Sequence, residues 1–98
     1  MSFENHIRED RRLVILRLLS EAAGRSANAS MLDAALNSFG HRVSRDVIEG
    51  DLAWLDEAGL LRIETMGSVK VATLTGRGQD VAEGTASHPG VKRPRAGE

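Results

Sequence analysis

The segment "SRDVIEGDLAWLDEAGLL", residues 44–61, constrains the fold more than any other part of the chain. Ser44 can cap a helix, Val47, Ile48, Leu52 and Leu55 recur at helical spacing, and Gly59 stops the run. Two β-prone stretches follow at once, "LLRIET" and "SVKVATL". They are separated by "MG", where Gly67 suits the turn of a tight hairpin. A helix halted by glycine and fed directly into a hairpin needs other elements to bury the apolar side of both.

The preceding sequence supplies them. A first helix is predicted from about Phe3 to Ala23, with Phe3, Ile7, Val14 and Leu18 at helical spacing and Leu13, Ile15, Leu16 and Leu19 beside them. Gly24 is its expected C-cap. The stretch "LVILRLL" is apolar nearly all round, interrupted only by Arg17. A helix apolar on two sides sits centrally or meets a partner subunit. Phe3, Ile7, Ile15 and Leu19 are therefore the candidate dimer or partner interface. Trp54 is expected to pack at the junction of the first and third helices, with an exposed interface anchor as the alternative. A second helix is predicted at about Ala29 to Phe39, capped by Asn28 or Ser30, with Leu32, Leu36 and Phe39 as its buried stripe and Ala35 alongside. After the hairpin, Thr75 can cap a short helix over Gly76 to Glu83. Its interior glycines each cost about 1 kcal/mol relative to alanine. From Thr85 the sequence "TASHPGVKRPRAGE" holds two prolines, a charge cluster and little apolar surface. Residues 85–98 read as a basic, disordered tail.

The predicted order is α-α-α-β-β-α. That is a single, mainly α domain over residues 1–84 with one β-hairpin, the layout of a winged helix-turn-helix. The chain of 98 residues favours one domain, and three aromatics make its core aliphatic. No apolar run reaches the length of a membrane span and no cleavable leader pattern opens the sequence, so a cytoplasmic setting is expected. With no cysteine there is no thiolate ligand or thiol nucleophile. His6, His41 and His88 lie far apart in sequence, and no metal site is expected. No nucleophile elbow, phosphate-binding glycine loop or paired His and carboxylate at useful spacing is present. Neither an enzyme nor a cofactor is expected.

"VSRDVIEGDLAWLDEAGLL", followed by a hairpin and "LTGRG", resembles winged-helix bacterial regulators of the ArsR and MarR type. Val43, Ser44, Ile48, Leu52, Leu55, Gly59, Leu60 and Leu61 match the helix that runs into the wing in those regulators. Leu74, Thr75 and Gly78 match the strand end that opens their next helix. The chain also resembles a family of small winged-helix proteins of Mu-like prophages, through "REDRRLVILRLL", "DLAWL…GLL" and "PGVKRP". The first resemblance implies a DNA-binding transcriptional regulator, and the second implies a phage or prophage setting.

Under the first implication the second helix of the motif enters the major groove. Arg42, Ser44 and Arg45 would hold phosphates or base edges, with Asp46 beside them and Glu49 a possible base acceptor. Arg62 and Lys70 on the wing would touch the backbone, and a homodimer would present two half-sites. The charge pattern departs from that picture. Residues 1–84 carry ten Lys/Arg against thirteen Asp/Glu. Asp46, Glu49 and Gly50 stand where DNA readers favour Arg, Lys, Asn and Gln. Asp51 is expected to pair with an arginine of the first helix, and Asp56 and Glu57 to lie away from the groove. Gly50 weakens its helix, so a close packing neighbour is expected there. The alternative expectation is a winged-helix protein-interaction module in a phage or nucleoprotein assembly, binding a basic protein partner.

Overall fold

The computed structural model describes residues 2–95. Its elements run α1 (Phe3–Glu21), β1 (Ser26–Asn28), α2 (Ala29–Ser38), α3 (Arg45–Glu57), β2 (Leu61–Met66), β3 (Val69–Leu74) and α4 (Gly76–Glu83). The three strands form one antiparallel sheet in the order β1-β3-β2.

Each helix starts where a side-chain oxygen can take an orphan N–H. Ser2 accepts from Asn5, Asn28 from Met31, Ser44 from Val47 and Thr75 from Gly78. Thr75 also donates to the Gly59 carbonyl at 2.8 Å, which ties the end of α3 to the start of α4. Gly78 explains why α4 tolerates a helix-weakening residue. A Cβ there would stand 1.8 Å from the Leu60 carbonyl oxygen, so only glycine lets α4 approach the backbone between α3 and β2 this closely.

α1 lies against α2, α4 and β3, and its apolar girdle is consumed by those contacts. Leu13, Ile15, Leu16 and Leu19 are buried together with Leu32, Leu36, Ile48, Leu52, Leu55, Leu60, Leu61 and Val81. This corrects the expected partner surface. Ile15 and Leu19 are 0% exposed and belong to the core, so neither can meet a second subunit. Phe3, 78% exposed, and half-buried Ile7 do lie at the surface, on the first two turns of α1.

Other expectations also change. α1 ends at Glu21, and Gly24 sits in the turn beyond it. Phe39 caps α2 with non-helical dihedrals, which turns its ring away from the Leu32–Leu36 stripe and leaves it 60% exposed. Val47 is exposed as well. β1 is an addition: Ser26, Ala27 and Asn28 pair with Thr73, Ala72 and Val71, and Ser26 and Thr73 share a hydroxyl hydrogen bond of 2.8 Å.

Residues 85–95, expected to be disordered, pack as a strap across α1 and α3. Val91 is buried in the core cluster, and the Lys92 N–H donates to the Glu9 carbonyl at 3.1 Å. The expectation failed because one valine and one close-fitting glycine hold the strap, a signal that composition does not carry. Residues 96–98 of the expected tail lie outside the described residues.

Candidate functional site

α3 has one side on the core, one side under the strap and one outer stripe. Ile48, Leu52 and Leu55 set the core side. Asp51 is also buried, and Arg11 and Arg12 of α1 both reach it. Arg11 Nε donates to Asp51 Oδ2, and Arg12 Nε donates to Oδ1 at 3.3 Å. The expected pairing between Asp51 and helix 1 is present. Arg8 instead donates to Asn5 at 2.9 Å. Burial pushes the Arg12 guanidinium below its ordinary value; Asp51 pulls it back up, while Arg8 and Arg11 push it down.

Trp54 lies beneath the strap. The Arg12 guanidinium carbon stands 3.8 Å from its ring centroid, and His88 meets the ring edge-on at 5.1 Å. Arg12 Nη1 also donates to the Gly90 carbonyl at 3.1 Å. Trp54 is thus engaged inside the chain and offers no free anchor. Beside the strap, Asp10 Oδ2 contacts His41 Nε2 at 2.7 Å, and Lys92 Nζ donates to Asp10 Oδ1 at 3.3 Å. Burial raises the Asp10 carboxyl, but the hydrogen bonds and charges of His41 and Lys92 outweigh it and hold the group below its ordinary value.

The outer stripe is Asp46, Glu49, Gly50, Ala53, Asp56 and Glu57, all exposed. Asp56 and Glu57 continue, in the last turn of α3, the face begun by Asp46 and Glu49. The expected close packing neighbour of Gly50 is not found among the described residues. A Cβ at Gly50 would meet nothing within 4 Å.

A cleft of about 370 Å³ opens between this stripe and the hairpin. Leu52, Ile63 and Ala72 line its apolar part, while Arg45, Glu49 and Lys70 line its polar part. The candidate DNA-binding residues divide accordingly. Arg45, Glu49 and Lys70 are brought together at the cleft. Ser44 is the cap of α3, with Arg42 exposed before it and Asp46 in its first turn. Arg62 is exposed on β2, paired in register with Thr73. Arg45 is already engaged, with Nη2 3.6 Å from Asp33 Oδ2. Met66 and Val69, which close the hairpin, are exposed beside the cleft, an apolar pair not expected from the sequence. Their alternation with Thr65 and Lys70 was its signal.

No helix among the described residues is long and apolar enough to cross a membrane. No cluster of three or more metal-ligating side chains occurs among them either.

No protein-family model matches the chain. Two relatives do, and both carry the description "uncharacterized protein". The chain belongs to a phage protein family, that of gp26 of Escherichia phage Mu. It is 54% identical to that protein over 87 residues, spanning 89% of this chain and 90% of gp26. A protein of Haemophilus influenzae is 47% identical over 78 residues, spanning 79% of this chain and 76% of its own length.

Proposed function

We propose that this protein is a winged-helix interaction module of a phage assembly, and that the outer stripe of α3 and the adjoining cleft dock a basic protein segment. The winged-helix reading is supported by three helices followed by the β2–β3 hairpin, with β1 joining the sheet as its third strand. Kinship to a Mu phage protein supports the phage setting.

The observation that carries the docking reading is the composition of the stripe. Four carboxylates, at Asp46, Glu49, Asp56 and Glu57, surround Gly50 and Ala53, and no cation interrupts them. A glycine inside a helix costs about 1 kcal/mol relative to alanine. At Gly50 no described residue comes within 4 Å of where a Cβ would stand, so the helix face is left bare for a partner's side chain to approach. A Lys/Arg-rich amphipathic segment fits this surface. Its apolar side enters the cleft toward Leu52, Ile63 and Ala72, beside Met66 and Val69, and its cations meet the carboxylates.

The second reading is a DNA-binding transcriptional regulator. It is favoured by Arg42 and Arg45 at the N-terminal end of α3 with Lys70 across the cleft, since phosphate contacts require reach and charge rather than a base pattern. Against it stand the stripe itself and the engagement of Arg45 by Asp33.

Fluorescence anisotropy with two probes at low and moderate salt separates the readings: a Lys/Arg-rich amphipathic peptide and a mixed-sequence duplex DNA. The peptide is expected to bind, and Glu49→Lys to weaken it by about tenfold or more, as like charges across an interface are costly. Duplex binding that weakens steeply with salt and is lost in Arg42→Ala/Arg45→Ala would replace this reading with the second.

A further inference from the structure

The sheet ends at β2. β3 pairs with one side of that strand, and no strand covers its other side among the described residues. A free edge six residues long, with neither proline nor glycine, is a template for another strand. We infer that the occupant is β2 of a second copy, paired antiparallel about a two-fold axis at Ile63, so that two sheets become one of six strands.

The register follows from the hairpin. Its two-residue turn, Gly67–Ser68, makes Met66 and Val69 a hydrogen-bonded pair. The Thr75 N–H bonds the Leu60 carbonyl at 3.3 Å, which fixes the same alternation at the far end. Arg62 and Glu64 therefore direct their backbone groups at β3. Leu61, Ile63 and Thr65 direct theirs away from it, toward the open edge. An incoming antiparallel β2 can use those groups with its centre at residue 62, 63 or 64. Centring on Arg62 sets two arginines opposite each other, and centring on Glu64 sets two glutamates opposite. Centring on Ile63 sets Arg62 of each copy opposite Glu64 of the other, twice, with Ile63 facing Ile63. Only that register pairs opposite charges, and like charges directly opposite are destabilising. Arg62 and Glu64 are both exposed on the outer face of the sheet, and neither makes an ion pair among the described residues. The arrangement is isologous and closed, as a two-fold interface requires. It replaces the helix-1 interface that burial of Ile15 and Leu19 removes.

Sedimentation equilibrium tests the pairing over about 10 μM to 1 mM chain, the range suited to a small strand-edge interface. The wild-type chain is expected to dimerise. Arg62→Glu places glutamate opposite glutamate at both sites and weakens the dimer by about ten- to a hundredfold. Adding Glu64→Arg restores opposite charges and brings the dimer back to within a few-fold of wild type. Thr65→Pro removes an outward N–H from each copy at an exposed position, where the fold tolerates it, and also weakens the dimer. A wild-type chain that stays monomeric throughout overturns the proposal. So does a dimer that Arg62→Glu leaves undiminished, or one that the double exchange fails to restore.

Discussion

Gly90 of the strap lies against the indole of Trp54, so close that a Cβ at position 90 would stand 2.4 Å from ring carbons Cη2 and Cζ2. Contact of that kind, with Arg12 on the ring face and His88 at its edge, makes the strap part of the folded unit. Gly90→Ala is expected to cost about 1–3 kcal/mol, the usual range for overpacking. Trp54 is the chain's single tryptophan, so its emission reports the strap directly. The variant should show red-shifted fluorescence and a lower urea midpoint. Unchanged emission with unchanged stability would mean that the strap does not rest on Trp54.

Asp51 is the carboxylate on which α1 and α3 are joined, and both it and Arg11 are almost fully buried. Removing one partner of a buried pair strands the other charge, typically at about 3–5 kcal/mol. Asp51→Ala should therefore destabilise the protein by that amount in urea unfolding. A loss below about 1 kcal/mol, the level of an exposed pair, would contradict the assignment.

The core of α3 was legible because its signals are local. Ser44, the Ile48–Leu52–Leu55 spacing and Gly59 all act within one helix. β1 was not legible, because three residues carry no period and their partner, β3, lies far along the chain. "LVILRLL" showed an excess of apolar surface correctly, but not its destination. α2, α4 and the sheet surround that stretch, and no second subunit is needed to cover it. The candidate site was half legible. The carboxylates of α3 were visible in order, and helical periodicity already puts Asp56 and Glu57, at i+7 and i+8 from Glu49, on its face. The empty space at Gly50 is a fact about neighbours, which spacing cannot supply.

Asp10 contributes a defined acid sensitivity. Its carboxyl is held below the ordinary value of 3.8 in the folded protein. A depressed carboxylate stabilises the fold above its unfolded value, and that stabilisation is lost as pH falls through the folded value. Wild-type protein should therefore lose urea resistance as pH is lowered from 3.8, and Asp10→Asn should lose less over the same interval. Parallel pH profiles for the two proteins would show that His41 and Lys92 do not hold the charged carboxylate.

Gly50 separates stability from docking. Gly50→Ala fills open space on a helix and should raise stability by about 0.4–1 kcal/mol. Gly50→Leu extends a side chain over the stripe and should weaken a basic peptide by about tenfold while leaving the fold intact, since about 1.4 kcal/mol of lost contact corresponds to that factor. If both variants fold and bind like wild type, the bare helix face has no role in docking.

Amide chemical-shift mapping of the 98-residue chain with the Lys/Arg-rich amphipathic peptide tests the docking surface most directly. Perturbations are expected to cluster at Asp46, Glu49, Gly50 and Ala53 and across the cleft at Ile63, Val69 and Lys70. The opposite result is a peptide that leaves those amides unmoved while duplex DNA shifts Arg42, Ser44, Arg45 and Lys70. It would contradict the protein-docking role and assign the face to nucleic acid.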